Sequence, residues 1–403
     1  MALMPVSEAL AIVVADIAPL SVEMVPLQDA WHRVLADDIA ARRTQPPVAM
    51  SAMDGYALRS ADASQAGTEL EVIGEVAAGR PLARSIGPGE AARIFTGGVV
   101  PQGADAVVIQ EDTITVGSRV ILNQPARAGR HIREAGVDFR AGEILLRRGK
   151  RLSERDLSLA AGMNHAALPV WRRPRVAILA TGDELVMPGT EPAPGQIVVS
   201  NSYALHALAR AEGAETFDLG VAADRLEATT GHIRRAADVG ADLLITTGGA
   251  SVGDHDLVKP ALEAEGFNMT FWKIAMRPGK PMMFGRSSQA RVIGLPGNPV
   301  SSYICAWLFM VPLIRALAGR DNIHHRRHHA ILGSELPAND GREDYLRAQC
   351  VEQADGTLLA TPVRLQDSSL LGTLAAAQAL VIRPPFAPPA PAGSLCEILH
   401  LPV

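Results

Sequence analysis

The sequence predicts a multidomain α/β protein: a doubly wound parallel-sheet domain with a helical linker domain and two small β domains. Three observations predict it. Between residues 175 and 320, short apolar runs rich in β-branched residues alternate with helical runs, the pattern of stacked βαβ units. On either side of that region the β-branched runs are separated only by Gly and Pro turns. A chain of 403 residues also exceeds one ordinary hydrophobic core, so two to four domains are expected.

Taken in order, Ser7 precedes ALAIVVADIAPL, where Leu10, Val13, Val14 and Ile17 have helical spacing. A second short helix is predicted over residues 27–39, and both are expected to pack on the domains that follow. In TQPPVAMSAMDGY (residues 44–56) two prolines break any helix and Asp54–Gly55 forms a turn dipeptide. Taken alone, Asp54 reads as a turn residue bonding its own backbone. LEVIGEV, AARIF, DAVVIQ and SRVILNQ then predict a small β domain, interrupted by Thr96–Gly97–Gly98, whose hydroxyl and amides are free to face a ligand. Asp138 stands between Arg133 and Arg140, so a surface ion pair competes with a functional role. Ser153 with Asp156 predicts a capping box opening a helix that Gly162 ends. This returns the chain to the linker, making the β domain an insertion. The predicted divisions are 1–48 with 139–173 (linker), 49–138 (inserted β), 174–322 (α/β) and 323–403 (C-terminal, β-barrel-like). In the last, Asp355–Gly356 predicts a hairpin turn. The cluster His324–His329 (HHRRHH) is read as an exposed connector, with metal binding as the alternative.

Residues 241–297 carry the candidate chemistry. Three apolar runs, 242–246, 282–284 and 292–295, read as buried strands of a parallel sheet. Ligands of such sheets bind at the loops after the strands. Thr246–Thr247–Gly248–Gly249 and Pro296–Gly297–Asn298–Pro299 occupy two such loops, where glycines let backbone N–H groups approach an anion. Asp254 and Asp256 suit a hard cation, and Arg277 and Lys280 an oxyanion. Asp183, Glu184 and Asp224 also follow strands, at the expected ligand edge. The residues predict an anion-binding active site for a phosphorylated ligand with a divalent metal.

Composition narrows the classes. A formal charge of −5 argues against a bulk nucleic-acid or membrane binder, so an anion must be caught locally. Three widely separated cysteines point to reduced thiols. The N-terminal run lacks a basic n-region and carries Glu8 and Asp16, unlike a signal peptide. The apolar helix predicted around residues 304–314 is too short to span a bilayer and contains Pro312. A cytoplasmic protein is the expectation.

Six ordered motifs add a resemblance: SAMDGYA (51–57), FTGGVVPQGADAVV (95–108), ATGDEL (180–185), TTGGASVGDHD (246–256), RPGKP (277–281) and LPGNP (295–299). Together the chain resembles the MoeA and gephyrin E-domain family of molybdopterin molybdenumtransferases. The resemblance implies a four-domain subunit that inserts molybdate into adenylylated molybdopterin and releases AMP. It also implies Mg²⁺ and a homodimer whose sites are shared between subunits. In those roles, Thr247, Gly248, Gly249, Ser251 and Pro296, Gly297, Asn298, Pro299 would hold the pterin phosphate. Asp256, Glu184 and Asp224 would serve Mg²⁺, and Arg277 with Lys280 resembles the basic pair near molybdate, where many bacterial members have Lys at the first position. Asp54, Thr96 and Asp138 correspond to polar residues from the inserted domain. Ser368 matches the C-terminal serine, with Ser369 as the alternative register. Two alternatives are a molybdopterin adenylyltransferase, which shares the α/β domain, and a gephyrin-like scaffold. The adenylyltransferase and cofactor-accepting proteins are the expected partners of the transferase.

Overall fold

The computed structural model describes residues 3–248 and 257–402. Its central sheet has six strands in the order Glu215–Ala222, Arg175–Thr181, Leu243–Thr247, Arg291–Leu295, Met283–Arg286 and Asn268–Phe271. The first four are parallel. Alternation along each strand divides the core between two faces. Val176, Ile178, Leu243, Ile245 and Ile293 meet the helices Asn201–Ala211 and Pro299–Cys305 with its continuation. Ala177, Leu179, Leu244 and Val292 meet Leu226–Asp238 and Val258–Ala264 on the other face. This is the doubly wound domain expected.

The run at 282–284 departs from the parallel expectation. Met283–Arg286 runs antiparallel to Arg291–Leu295, and Asn268–Phe271 antiparallel to it in turn. Only residues 287–290 join the first pair, far short of the dozen that a parallel crossover requires. Ser287 Oγ closes that turn by accepting from the amides of Gln289 and Ala290.

The helix predicted over residues 27–39 is also replaced. The chain makes one 3₁₀ turn, Leu27–Asp29, and a short strand, Ile39–Ala40. Its backbone groups are claimed by residues 150–171: Leu35 N–H donates to Lys150 O, and Leu152 N–H and Trp171 N–H donate to Arg33 O and Val34 O. Tertiary pairing here overrides helical spacing. The first helix, Val6–Val13, starts after Pro5, which leaves Ser7 inside the first turn, not at the cap. Val6, Ala9 and Val13 pack on the α/β core. The capping box at Ser153 and Asp156 forms as predicted and opens Glu154–Gly162.

The apolar helix predicted near 304–314 is longer than expected. Helical structure runs unbroken from Pro299 to Leu317, 19 residues, with a π turn at Ala306–Met310. That turn lies just ahead of Pro312, which has no N–H to donate, so the helix passes the proline without stopping. By length and composition the helix suffices to cross a membrane, but 83% of its apolar window is buried inside the protein.

The inserted β region forms a six-stranded sheet from Ala106–Ile109 at one edge, with Gly55–Leu58 next to it, to Thr113–Val116 at the far edge. It joins the rest of the chain where Met50–Ser51 pairs with Ile132–Arg133. At the C-terminus, Glu343–Glu352 pairs with both Leu358–Pro362 and Ala379–Arg383, which closes a barrel through His328–Leu332 and Leu395–His400. Gly356, with φ +81°, makes the predicted hairpin turn. Met276–Arg277 adds an edge strand to this barrel.

Within the connector at 324–329, His325 is half-buried and packs against Trp307, with ring centroids 4.0 Å apart. Burial pushes its pKa down to about 4. Among the described residues no group of three or more His, Cys, Asp or Glu side chains is placed to hold a metal.

Candidate active site

The strand order reverses direction between Arg175–Thr181 and Leu243–Thr247: the chain passes to one side for Glu215–Ala222, then crosses to the other. Loops diverge at such a switch point and leave a crevice. A cleft of about 670 Å³ occupies it, lined by Thr181, Gly182, Asn201, Thr247, Gly248 and Gly297, among others. The helices beginning at Asn201 and Pro299 both start at its wall, so their free amides and positive dipole ends favour an anion.

Gly248 sets the width of the crevice. It has φ +91°, and a Cβ there would lie 2.3 Å from the carbonyl oxygen of Thr181. Gly248→Ala must therefore part the two strand ends, and holding an alanine in the left-handed region costs about 1–2 kcal/mol by itself. The variant should lose about 100-fold in kcat/KM, as small misplacements in a site do. Gly117→Ala, at φ +59° with nothing within 4 Å of the added carbon, is the control and should retain full activity.

Asn201 joins the two glycine loops. Its Nδ2 donates to Thr247 Oγ1 at 2.9 Å and to Gly297 O at 2.8 Å. Asn201 opens the helix Asn201–Ala211, and its side chain reaches across the strand ends. At the PGNP turn, Asn298 Nδ2 donates to Ser368 Oγ at 2.9 Å, and Val300 N–H donates to Ser368 O. Ser369 lines the cleft and its hydroxyl donates to Asp367 Oδ1. Both serines of the QDSSL segment thus reach the site, one through Asn298 and the other directly. Pro296, Gly297, Asn298 and Pro299 all line the cleft.

Glu184 and Asp224 face the same space. The Glu184 carboxylate stands over Gly182, where a Cβ would come within 2.5 Å of it. Asp183 sits between the two loops, accepting from Asp224 N–H at 3.0 Å. Two exposed carboxylates beside a ligand cleft are a hard-oxygen donor set that suits Mg²⁺ with water completing its shell. Gly249, Ser251, Asp254 and Asp256 lie outside the described residues.

The remaining predicted residues are not brought into the cleft. Lys280 directly precedes Pro281, which lines it, and the Lys280 ammonium is exposed without a partner among the described residues. The Arg277 guanidinium is committed to the barrel, donating to Asp344, to Asn339 Oδ1 at 3.1 Å and to Asp340 at 3.5 Å. Asp54 and Thr96 meet each other: Asp54 Oδ1 accepts from Thr96 N and Oγ1, both at 2.7 Å. The backbone hydrogen bond from Thr96, with its hydroxyl, holds the Asp54 pKa below the ordinary value. Asp138 is exposed in a shallow depression beside Arg43 and Arg155, and makes no ion pair among the described residues.

Comparison with known proteins bears directly on this geometry. Family models match three successive parts of the chain: "MoeA N-terminal region (domain I and II)" at 4–163, "Probable molybdopterin binding domain" at 177–316 and "MoeA C-terminal region (domain IV)" at 329–401. A molybdopterin molybdenumtransferase of Bacillus subtilis (strain 168) is 36% identical over 370 residues, 90% of this chain and 86% of that protein. The chain belongs to the MoeA family. Another MoeA relative, the molybdopterin molybdenumtransferase of Haemophilus influenzae, is 35% identical over 90% of both chains. The crystal structure of a molybdopterin biosynthesis MoeA protein from Pyrococcus horikoshii superposes with a TM-score of 0.85 at 32% identity and covers 99% of both chains. The multidomain architecture read from the sequence is therefore that of the MoeA family.

Proposed function

We propose that this chain is a molybdopterin molybdenumtransferase acting in molybdenum cofactor biosynthesis, and that it inserts molybdate into adenylylated molybdopterin with release of AMP. The observation that carries the reading is the switch-point cleft, which presents two helix N-termini and two glycine turns to an anionic ligand, in a member of the MoeA family. Amides around Gly248 and Gly297 bind the ligand's phosphate end through backbone donors. Asn201 keeps those two turns at a fixed separation, so the ligand is held without reorganisation. Glu184 and Asp224 are the described residues that would hold Mg²⁺, with Asp256 as a third candidate. Bound there, Mg²⁺ supplies neutralisation of charge developing on the phosphoanhydride oxygens. Lys280 supplies a mobile cation for the tetrahedral oxyanion molybdate. Arg277, held by Asp344 and Asn339, orients the loop that carries Lys280.

Asp54, Thr96 and Asp138 lie outside the cleft lining, which favours a homodimer in which a partner's inserted domain completes each site. A reducing cytoplasmic setting suits the three free thiols. The test is incubation with adenylylated molybdopterin, Mg²⁺ and molybdate while AMP is followed. Molybdate-dependent AMP release is expected; ATP consumption without it would instead mark an adenylyltransferase. Lys280→Gln should raise the molybdate concentration for half-maximal rate about 10-fold, the loss of one charge-assisted hydrogen bond. Its KM for the pterin nucleotide should stay near that of the wild type. Equal molybdate dependence in the two proteins would remove Lys280 from the molybdate site.

A further inference from the structure

Folding scatters the histidines of the HHRRHH motif, and one of them finds a partner far along the chain. His325 turns inward, packing on Trp307 with its Nε2 at 2.5 Å from Trp307 O. His328 opens the strand His328–Leu332, opposite Ile398 on Leu395–His400. Side chains alternate along a strand, so His328 shares a face with Ile398 and with His400, its diagonal neighbour across the ladder. His329, opposite Glu397, belongs to the other face and is exposed. The His328 and His400 rings meet with centroids 4.9 Å apart and planes at 71°.

That separation suits more than ring packing. With Zn–N bonds of about 2.0–2.1 Å, ring nitrogens about 1.1 Å from their centroids and an N–Zn–N angle of about 109°, two imidazoles on one ion have centroids roughly 5 Å apart. His400 is exposed and His328 half-buried, so an ion from solvent can reach both. Neither side chain has a hydrogen-bond partner among the described residues, and a neutral imidazole keeps one free lone pair. The adjacent cation, Arg327, is already engaged by Glu397 at 2.9 Å and Glu343 at 3.9 Å. The geometry points to His328 and His400 as a two-imidazole site for a borderline divalent transition ion, of which Zn²⁺ is the type. Two protein ligands leave the rest of the shell to water or to a group from another molecule. An ion bound there ties the strand that enters the barrel to the strand that leaves it. Hard Mg²⁺ does not compete for imidazoles and keeps to carboxylates.

The probe is Zn²⁺, added to the full-length protein in millimolar Mg²⁺ so that hard carboxylate sites are filled. Diethylpyrocarbonate acylates free imidazole nitrogens, and peptide mass mapping locates the adducts. Zn²⁺ should protect His328 and His400 together and leave His329 as reactive as before. Zinc affinity, read by competition with a chromogenic chelator, should fall in His328→Ala and in His400→Phe. Losing one of two ligands should cost at least the roughly 10–100-fold that loss of an outer-shell partner costs. His400→Phe keeps a ring against His328 but has no lone pair, so it separates ligation from packing. It also keeps the test open if His328→Ala disturbs the barrel. His329→Ala should bind zinc as the wild type does. Zinc held equally by wild type and His400→Phe would sit on thiols or carboxylates elsewhere and overturn the proposal. Absence of protection at either histidine would overturn it too.

Discussion

Glu212→Gln should destabilise the α/β domain by about 3–5 kcal/mol, the range for removing one partner from a buried charge cluster. Glu212 follows the helix Asn201–Ala211 and accepts from Arg315 at 2.6 and 3.0 Å and from Arg320 at 2.5 Å, with Arg151 at 4.0 Å. The neutral amide leaves three cations facing one another in a half-dry site. It also frees the end of the helix whose first residue, Asn201, spans the cleft. A fall of roughly 10 °C in the unfolding transition is expected. Burial pushes the Glu212 pKa up, but the hydrogen bond from Arg315 and the charges of Arg315, Arg320 and Arg151 outweigh it and leave it below the ordinary value. A depressed carboxylate contributes stability above its unfolded pKa and loses it as pH falls through the folded value. The wild type should therefore lose stability on acidification over a window that the Gln variant lacks. A destabilisation under 1 kcal/mol with an unchanged acid limb would show that the cluster is held by packing alone.

Two homodimers, Asp54→Ala and Asp256→Ala, should be nearly inactive, while the mixed dimer made from them should recover about half the wild-type rate. In the proposed assembly each site takes Asp54 from one subunit and Asp256 from the other. Each homodimer spoils both of its sites. The mixed dimer collects both lesions in one site and leaves its mate intact, so independent sites give one half. Co-expression with two different tags isolates the mixed species. A stable mixed dimer as inactive as its parents would place each site within one chain, or couple the two sites obligatorily.

The parts that short-range chemistry fixes were legible in the sequence. Apolar runs before TTGG and PGNP located the strand ends, Ser153 and Asp156 located a helix start, and Asp355–Gly356 located a hairpin. Direction was not legible: the run at 282–284 looks the same in a parallel or an antiparallel partner, and only the four-residue connection decides. Nor was the fate of residues 27–39, whose helical spacing lost to backbone pairing with residues more than 100 positions away. In the site, glycines and charged residues were visible because turn glycines mark where strands end and charged side chains stand out beside apolar strand runs. Asn201 was not, because its role depends on atoms that approach only after folding. Arg277 showed its charge in the sequence but not its commitment to Asp344.

The inserted domain enters and leaves through the single ribbon of Met50–Ser51 against Ile132–Arg133. Gly97 N–H donates to Ser51 O and Ser51 N–H to Gly98 O, so Thr96 and Asp54 sit beside that joint. The hairpin of Thr113–Val116 and Arg119–Leu122 lies at the opposite edge of the sheet. For any swing about the ribbon, displacement grows with distance from the axis. In such a swing the domain would act as a lever with its chemical groups at the fulcrum: the hairpin would sweep through solvent while Asp54 and Thr96 would barely travel. A bulky label at Gly117 would report the swing at full amplitude without disturbing the pair.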